Sequence, residues 1–183
     1  MAERLLRADA QRNREKVLRA ARDAFAAVGY GVPLDEIAAR AGVGPGTVYR
    51  HFPSKEDLFE AVVAARVQDL IDDARSRADA ADAGRAFFGF LGRIGQEAAV
   101  KRDLPDAIAI AGTLRDDLHL ALDVLLRQAQ QAGAVRADIT ASDLSVLLKG
   151  LLSSINDRSP GAADPSLGNR LLTVITDGLR PPP

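Results

Sequence analysis

The chain has 183 residues, of which 47% are hydrophobic and 27% charged, with a net charge of −1. That is enough apolar material for a sizeable core, and it excludes a disordered chain. The absence of cysteine excludes disulfides and thiolate metal sites, and no apolar run approaches the roughly eighteen residues of a membrane span. The charged start (Glu3, Arg4, Arg7, Asp9) lacks an apolar signal core, so a cytoplasmic protein without membrane contact is expected.

Aromatic residues make up only 4% of the chain, and Ala and Leu dominate, which predicts an all-α protein. Residues 1–9 read as a mobile arm carrying Arg4 and Arg7. A first helix is expected from about Ala10 to Val28. Its apolar stripe is Val17, Ala20, Ala21, Ala24, Phe25 and Val28, and its basic sides carry Arg12, Arg14, Lys16, Arg19 and Arg22. Gly29-Tyr30-Gly31 ends it. A short helix then places Leu34, Ile37, Ala38 and Ala41 on one face, and Gly42 stops it.

A second short helix opens at Gly44-Pro45, because proline suits a first helical position. Val48 and Phe52 face inward, while Thr47, Tyr49, Arg50 and His51 face elsewhere. Pro53 closes this helix, and Ser54 starts the next one with Glu56 and Asp57 in its first turn. Phe25, Ile37, Val48 and Phe52 can share one small core. A helix of this length that buries two side chains and exposes Thr, Tyr, Arg and His suits an anionic partner.

The following helix, Lys55 to about Ala78, carries Leu58, Phe59, Val62, Ala65 and Leu70. It is long enough to belong to two cores. An N-terminal module of residues 1–55 and a larger C-terminal domain of 56–183 are therefore expected, without a flexible linker. Charge divides the same way, at +4 for the first part and −5 for the second, as suits a small polyanion-binding module on an acidic remainder.

The remainder is predicted helical throughout. One helix covers about Ala83 to Ala99, a short one Leu104 to Ala111, and another Thr113 to Ala132 with Gly133 as its stop. Thr140 caps the next helix, with Asp143 three residues on in a capping-box arrangement. The last helix spans about Ser166 to Leu179. The final two helices are apolar over more of their circumference than one partner surface needs. A homodimer interface is expected there, through Leu144, Leu148, Leu151, Leu152, Leu171, Leu172 and Ile175.

No catalytic constellation is present. His51 and His119 have no ligand-like neighbours at helical spacing, and Asp72-Asp73 and Asp116-Asp117 are adjacent pairs that point apart on a helix. No metal, cofactor or enzyme activity is expected. An apolar pocket between helices is expected from Phe87, Phe88, Leu91, Ile94, Ile108, Leu118 and Leu122, with Thr113 or His119 as polar anchors.

Residues 10–60 resemble the N-terminal domain of the TetR family of transcriptional regulators. The resemblance rests on Ala20, Ala21, Phe25 and Gly29, then on the run from Ile37 through GTVYRHFPSKEDL to Leu58. The C-terminal half resembles the family in outline, and the run Arg127–Asp138 is similar to an actinobacterial-type branch of it. The resemblance implies a homodimeric, ligand-responsive regulator, with a repressor favoured over an activator. It would bind a near-palindromic double-stranded DNA operator and be released by a small apolar or amphipathic effector.

The family pattern places Pro45, Gly46, Tyr49 and Arg50 at base edges and Thr47, His51 and Lys55 at phosphates. Arg50 alone here suits a bidentate guanine contact, worth about 1–3 kcal/mol of discrimination. Two departures are visible: Gly44 stands where a capping Ser or Thr is usual, and Pro33-Leu34 replaces a hydroxyl residue that would touch phosphate. The rival reading is a helical small-molecule carrier or enzyme with an incidental N-terminal motif.

Overall fold

The computed structural model describes residues 2–99, 112–156 and 167–181, and the side chains of 8–96, 112–151 and 167–181. Eight helices make up these residues: α1 (Ala2–Val28), α2 (Leu34–Ala41), α3 (Pro45–His51), α4 (Lys55–Ala78), α5 (Ala83–Ala99), α6 (Gly112–Gln131), α7 (Ala141–Asn156) and α8 (Leu167–Gly178). The short helix expected over 104–111 lies outside the described residues. The described chain forms two compact units that part inside α4, between Ala65 and Arg66.

The first unit is built on α1 to α3 and the first half of α4. Helix α1 starts at Ala2 rather than near Ala10, so residues 2–9 are helix and not a mobile arm. The physical reason is composition: Ala, Glu, Arg and Leu all favour helix, and no Gly or Pro interrupts them. The expected stripe is buried from Val17 to Phe25, but Val28, in the last turn, is 55% exposed. Phe25, Ile37, Val48 and Phe52 are all buried. Leu58, Phe59, Val62 and Val63 of α4 are buried as well, and they enlarge a core that would be marginal at this size. Gly42 ends α2 with a φ of 68°, and its N–H reaches back to carbonyls of the last turn. A side chain there would be strained.

The second unit packs the rest of α4 with α5 to α8. Its core joins Leu70 and Ala74 of α4 to Phe87, Phe90, Leu91 and Ile94 of α5, Leu122, Leu125 and Leu126 of α6, and Leu144 and Leu148 of α7. Helix α8 has no fully buried residue of its own, and it is seated in two ways. Leu172 lies against α5 at Gly95, where a Cβ would fall 2.5 Å from Leu172 Cδ2. At its C-terminal end, the Arg136 N–H donates to Leu179 O at 2.9 Å, and the Arg136 guanidinium reaches Gly178 O at 3.4 Å. Arg136 also pairs with Asp138 at 2.6 Å. Gln130 Nε2 donates to Arg136 O and Ile139 O and braces the turn between α6 and α7. The run Arg127–Asp138 thus has a structural use, holding the end of α8.

Candidate nucleic-acid interface

Helix α3 is held by one side and open on the others. Val48 is fully buried and Phe52, at the C-cap, is 2% exposed, while Tyr49 is 48% exposed. Pro45, Gly46 and Arg50 are exposed, and Thr47 and His51 are half-buried. The N-cap, Gly44, makes no side-chain cap, and Pro45 opens the helix, so the first turn presents backbone and a hydroxyl. A Cβ placed on Gly46 would meet nothing within 4 Å. The fold itself therefore gives no reason for glycine at that position.

Arg50 does not extend from the helix. Its Nε donates to Gly46 O at 3.3 Å and its Nη2 to Thr47 Oγ1 at 3.4 Å. These are long bonds on an exposed surface, so the side chain can exchange them for other acceptors. The link brings three of the expected contact residues together on one turn.

Helix α4 begins with a capping box. The Ser54 N–H and hydroxyl both donate to Asp57 Oδ2, at 2.9 and 2.7 Å, and the Asp57 N–H donates to Ser54 Oγ at 3.0 Å. This fixes Lys55, the first residue of α4.

Two residues to which the sequence pattern gives no role in binding belong to the surroundings of α3. The Arg14 guanidinium carbon lies 5.3 Å from the centroid of the Phe52 ring, beside His51. Arg14 stands three residues before buried Val17 and continues the inward stripe of α1. The other residue is Tyr30. Its ring stacks on Phe25 with centroids 6.0 Å apart and meets Phe59 edge-on at 5.3 Å. Lys55 Nζ lies 4.6 Å from the same ring's centroid, and the hydroxyl donates to Glu56 Oε1 at 2.7 Å. Burial, then the hydrogen bond to Glu56 and its charge, pushes the phenol up to about 12. The same hydrogen bond holds the Glu56 carboxyl below the usual carboxylate range. The Tyr30 contacts have no periodic signature; their only sequence signal is an aromatic residue between two glycines.

In the second unit the expected pocket residues are found mostly in and around the core. Phe87, Leu91, Ile94 and Leu122 are core residues, with Phe88 and Leu118 packed against them. Thr113 is exposed in the first turn of α6, and Ile108 lies outside the described residues. His119 Nδ1 lies 3.3 Å from Ser145 Oγ, which itself donates to Ala141 O at 2.8 Å. A pocket of about 230 Å³ is lined by Ala74, Arg75 and Ala78 of α4 and Asp117, Leu120, Ala121 and Val124 of α6.

The residues expected at the dimer interface differ in exposure. Leu144, Leu148 and Leu151 are buried within the chain, because the stripe of α7 faces its own core. Leu171, Leu172 and Ile175 are half-buried, and the side chain of Leu152 lies outside the described residues. Among the described residues, the large apolar side chains that α7 and α8 leave exposed are Val146 (71% exposed), Leu147 (44%) and Val174 (68%).

The family model for bacterial regulatory proteins of the tetR family matches residues 17–62. A second model, for the C-terminal domain of SbtR-like transcriptional regulators, matches residues 82–181. The crystal structure of a TetR transcription regulatory protein from Mycobacterium vanbaalenii is 41% identical. It aligns over 96% of this chain and 99% of that one, with a TM-score of 0.74. The chain belongs to the TetR family of transcriptional regulators. A second TetR regulator, SCO0520 from Streptomyces coelicolor, is 31% identical over 93% of this chain and 99% of its own, also with a TM-score of 0.74. Coverage of curated relatives is smaller: TtgW of Pseudomonas putida, an uncharacterised HTH-type regulator, is 42% identical over 66 residues, and the match spans 48% of it. Members of the TetR family are DNA-binding regulators and not enzymes, which removes the enzyme from the rival reading. No described helix is long and apolar enough to cross a membrane.

Proposed function

We propose that the protein is a homodimeric repressor that reads a near-palindromic operator and is released by a small apolar or amphipathic effector. The observation that carries this reading is α3. It is a short helix anchored by Val48 and Phe52, with Tyr49 open to solvent and Pro45, Gly46, Thr47, Arg50 and His51 around it. It lies in the major groove, with Pro45, Gly46, Tyr49 and Arg50 toward base edges. Thr47, His51, Lys55 and, in addition, Arg14 meet phosphates. Arg50 leaves Gly46 O and Thr47 Oγ1 to reach a base. The protein works where the chromosome is, in the cytoplasm.

Release requires an effector that binds one conformation better than another. The pocket between α4 and α6 is its expected place. It has an apolar floor of Ala74, Ala78 and Ala121 and two charges, Arg75 and Asp117. Helix α4 contributes to the cores of both units, so an effector that displaces it moves the spacing between the recognition helices of the dimer.

The test begins with a duplex selected from a random-sequence library. Tyr49→Ala together with Lys55→Ala is expected to abolish selection, and full retained affinity would sink the DNA contact set. Arg14→Ala is expected to lower the slope of log affinity against log salt by about 0.9 for each phosphate that it no longer neutralises. An unchanged slope would remove Arg14 from that set. Ala121→Trp, which fills the pocket, is expected to abolish release by any effector found in a compound screen.

A further inference from the structure

Lys55 and Glu56 are adjacent residues of opposite charge at the start of α4. Neighbouring side chains on a helix point apart, but their opposite charges still attract, and a carboxylate that swings toward the ammonium reduces the charge offered to a phosphate. Tyr30, from the turn after α1, engages both. Its ring takes the Lys55 ammonium at 4.6 Å from the centroid, and its hydroxyl donates to Glu56 Oε1 at 2.7 Å. The ring cannot drift, because Phe25 stacks on it and Phe59 meets it edge-on, and both are buried. One rigid side chain thus gives the two neighbours separate partners.

We infer that Tyr30 is a positioning residue for DNA binding: it holds the Lys55 ammonium on its ring face and Glu56 on its hydroxyl, so that the lysine charge is presented to the duplex backbone. The inference rests on Lys55 being a phosphate contact, as proposed above. The aromatic face is chemically suited to the task. It attracts the cation without consuming its hydrogen-bond donors, and an ammonium has three. A carboxylate would occupy those donors and cancel the charge. Tying Glu56 to the phenol also keeps a negative group from turning toward the phosphates. A Tyr30 that served packing alone would affect stability and leave the response to salt as it is.

The experiment uses the full-length protein and the selected duplex, with affinity measured over a salt series and melting followed for each variant. Lys55→Ala is expected to lower the salt slope by about 0.9 per phosphate left without its cation. Tyr30→Leu is expected to weaken binding by about 2- to 5-fold, the range for an exposed cation on an aromatic face. It should lower the slope in the same direction and add nothing on the Lys55→Ala background. Tyr30→Phe keeps the ring and frees Glu56, so it weakens binding, and adding Glu56→Gln restores it. Losses from Tyr30→Leu and Lys55→Ala that multiply, with no slope change from Tyr30→Leu, overturn the inference alone. A Lys55→Ala protein with unchanged affinity and slope overturns the phosphate contact as well. Should Tyr30→Leu melt below the assay temperature, the Tyr30→Phe and Glu56→Gln pair decides, and absence of rescue overturns the inference.

Discussion

Gly46 is a residue at which stability and binding pull apart. A methyl group there meets nothing in the folded chain, and alanine is the better helix former by about 0.5–1 kcal/mol in a helix interior. Gly46→Ala is therefore expected to leave the melting temperature unchanged or raise it, while weakening operator binding because the added carbon occupies space the duplex must enter. A variant equally stable and equally tight would remove Gly46 from the interface. Tyr30 supplies a prediction with a pH window. Its phenol stands near 12 in the folded protein against an ordinary 10, so the neutral form is the one the fold favours. The stabilisation is complete below pH 10 and is lost as pH climbs from there toward 12. Urea midpoints measured at about pH 9 and about pH 11 should fall between the two, and fall less in Tyr30→Phe. The contrast between these residues is also one of legibility. Gly46 stands inside a dense motif. Tyr30 meets its hydrogen-bond partner across 26 residues, and no period or local spacing encodes such a contact.

Helix ends are the elements whose physics is local enough to read from residue order. The Thr140-x-x-Asp143 pattern forms the expected reciprocal cap: the Thr140 N–H and hydroxyl donate to Asp143 Oδ2 at 2.9 and 2.6 Å, and the Asp143 N–H donates to Thr140 Oγ1 at 3.2 Å. The cap holds the Asp143 carboxyl below its usual range, first through the Thr140 side chain. Thr140→Ala is expected to cost about 1 kcal/mol of unfolding free energy, read as a lower urea midpoint with unchanged slope. Thr140→Ser should recover most of it. Gly133, with a φ of 69°, stops α6 as its position suggests. Two things at this scale were not legible. Nothing in residues 2–9 announces where α1 starts, since favourable propensity continues to the terminus. The stripe of α7 tells that a face is buried, but not whether the burying surface is the same chain or another. Leu144 and Leu148 went to their own core for that reason.

At the scale of the molecule, the apolar side chains that α7 and α8 leave open bear on assembly. Val146 and Val174 are 71% and 68% exposed, with Leu147 at 44%. In the proposed homodimer, a second copy packed across these two helices would cover apolar side chains of this kind by a symmetric contact. Two DNA-reading units joined this way would engage a two-half-site operator bivalently, with the second half-site met at a high effective concentration. Val146→Lys combined with Val174→Lys is expected to yield monomers in light scattering with the helical content intact, because neither side chain belongs to the core. Operator affinity should fall by about 10²-fold or more, toward that of a single half-site, while binding to one isolated half-site stays as it was. Leu148→Ala provides the contrast: it removes a buried core side chain, so it should lower stability by about 2–5 kcal/mol and only secondarily affect assembly. A double-lysine variant that remains dimeric would move the interface away from these faces of α7 and α8. One that is monomeric yet keeps full operator affinity would separate dimerisation from operator reading.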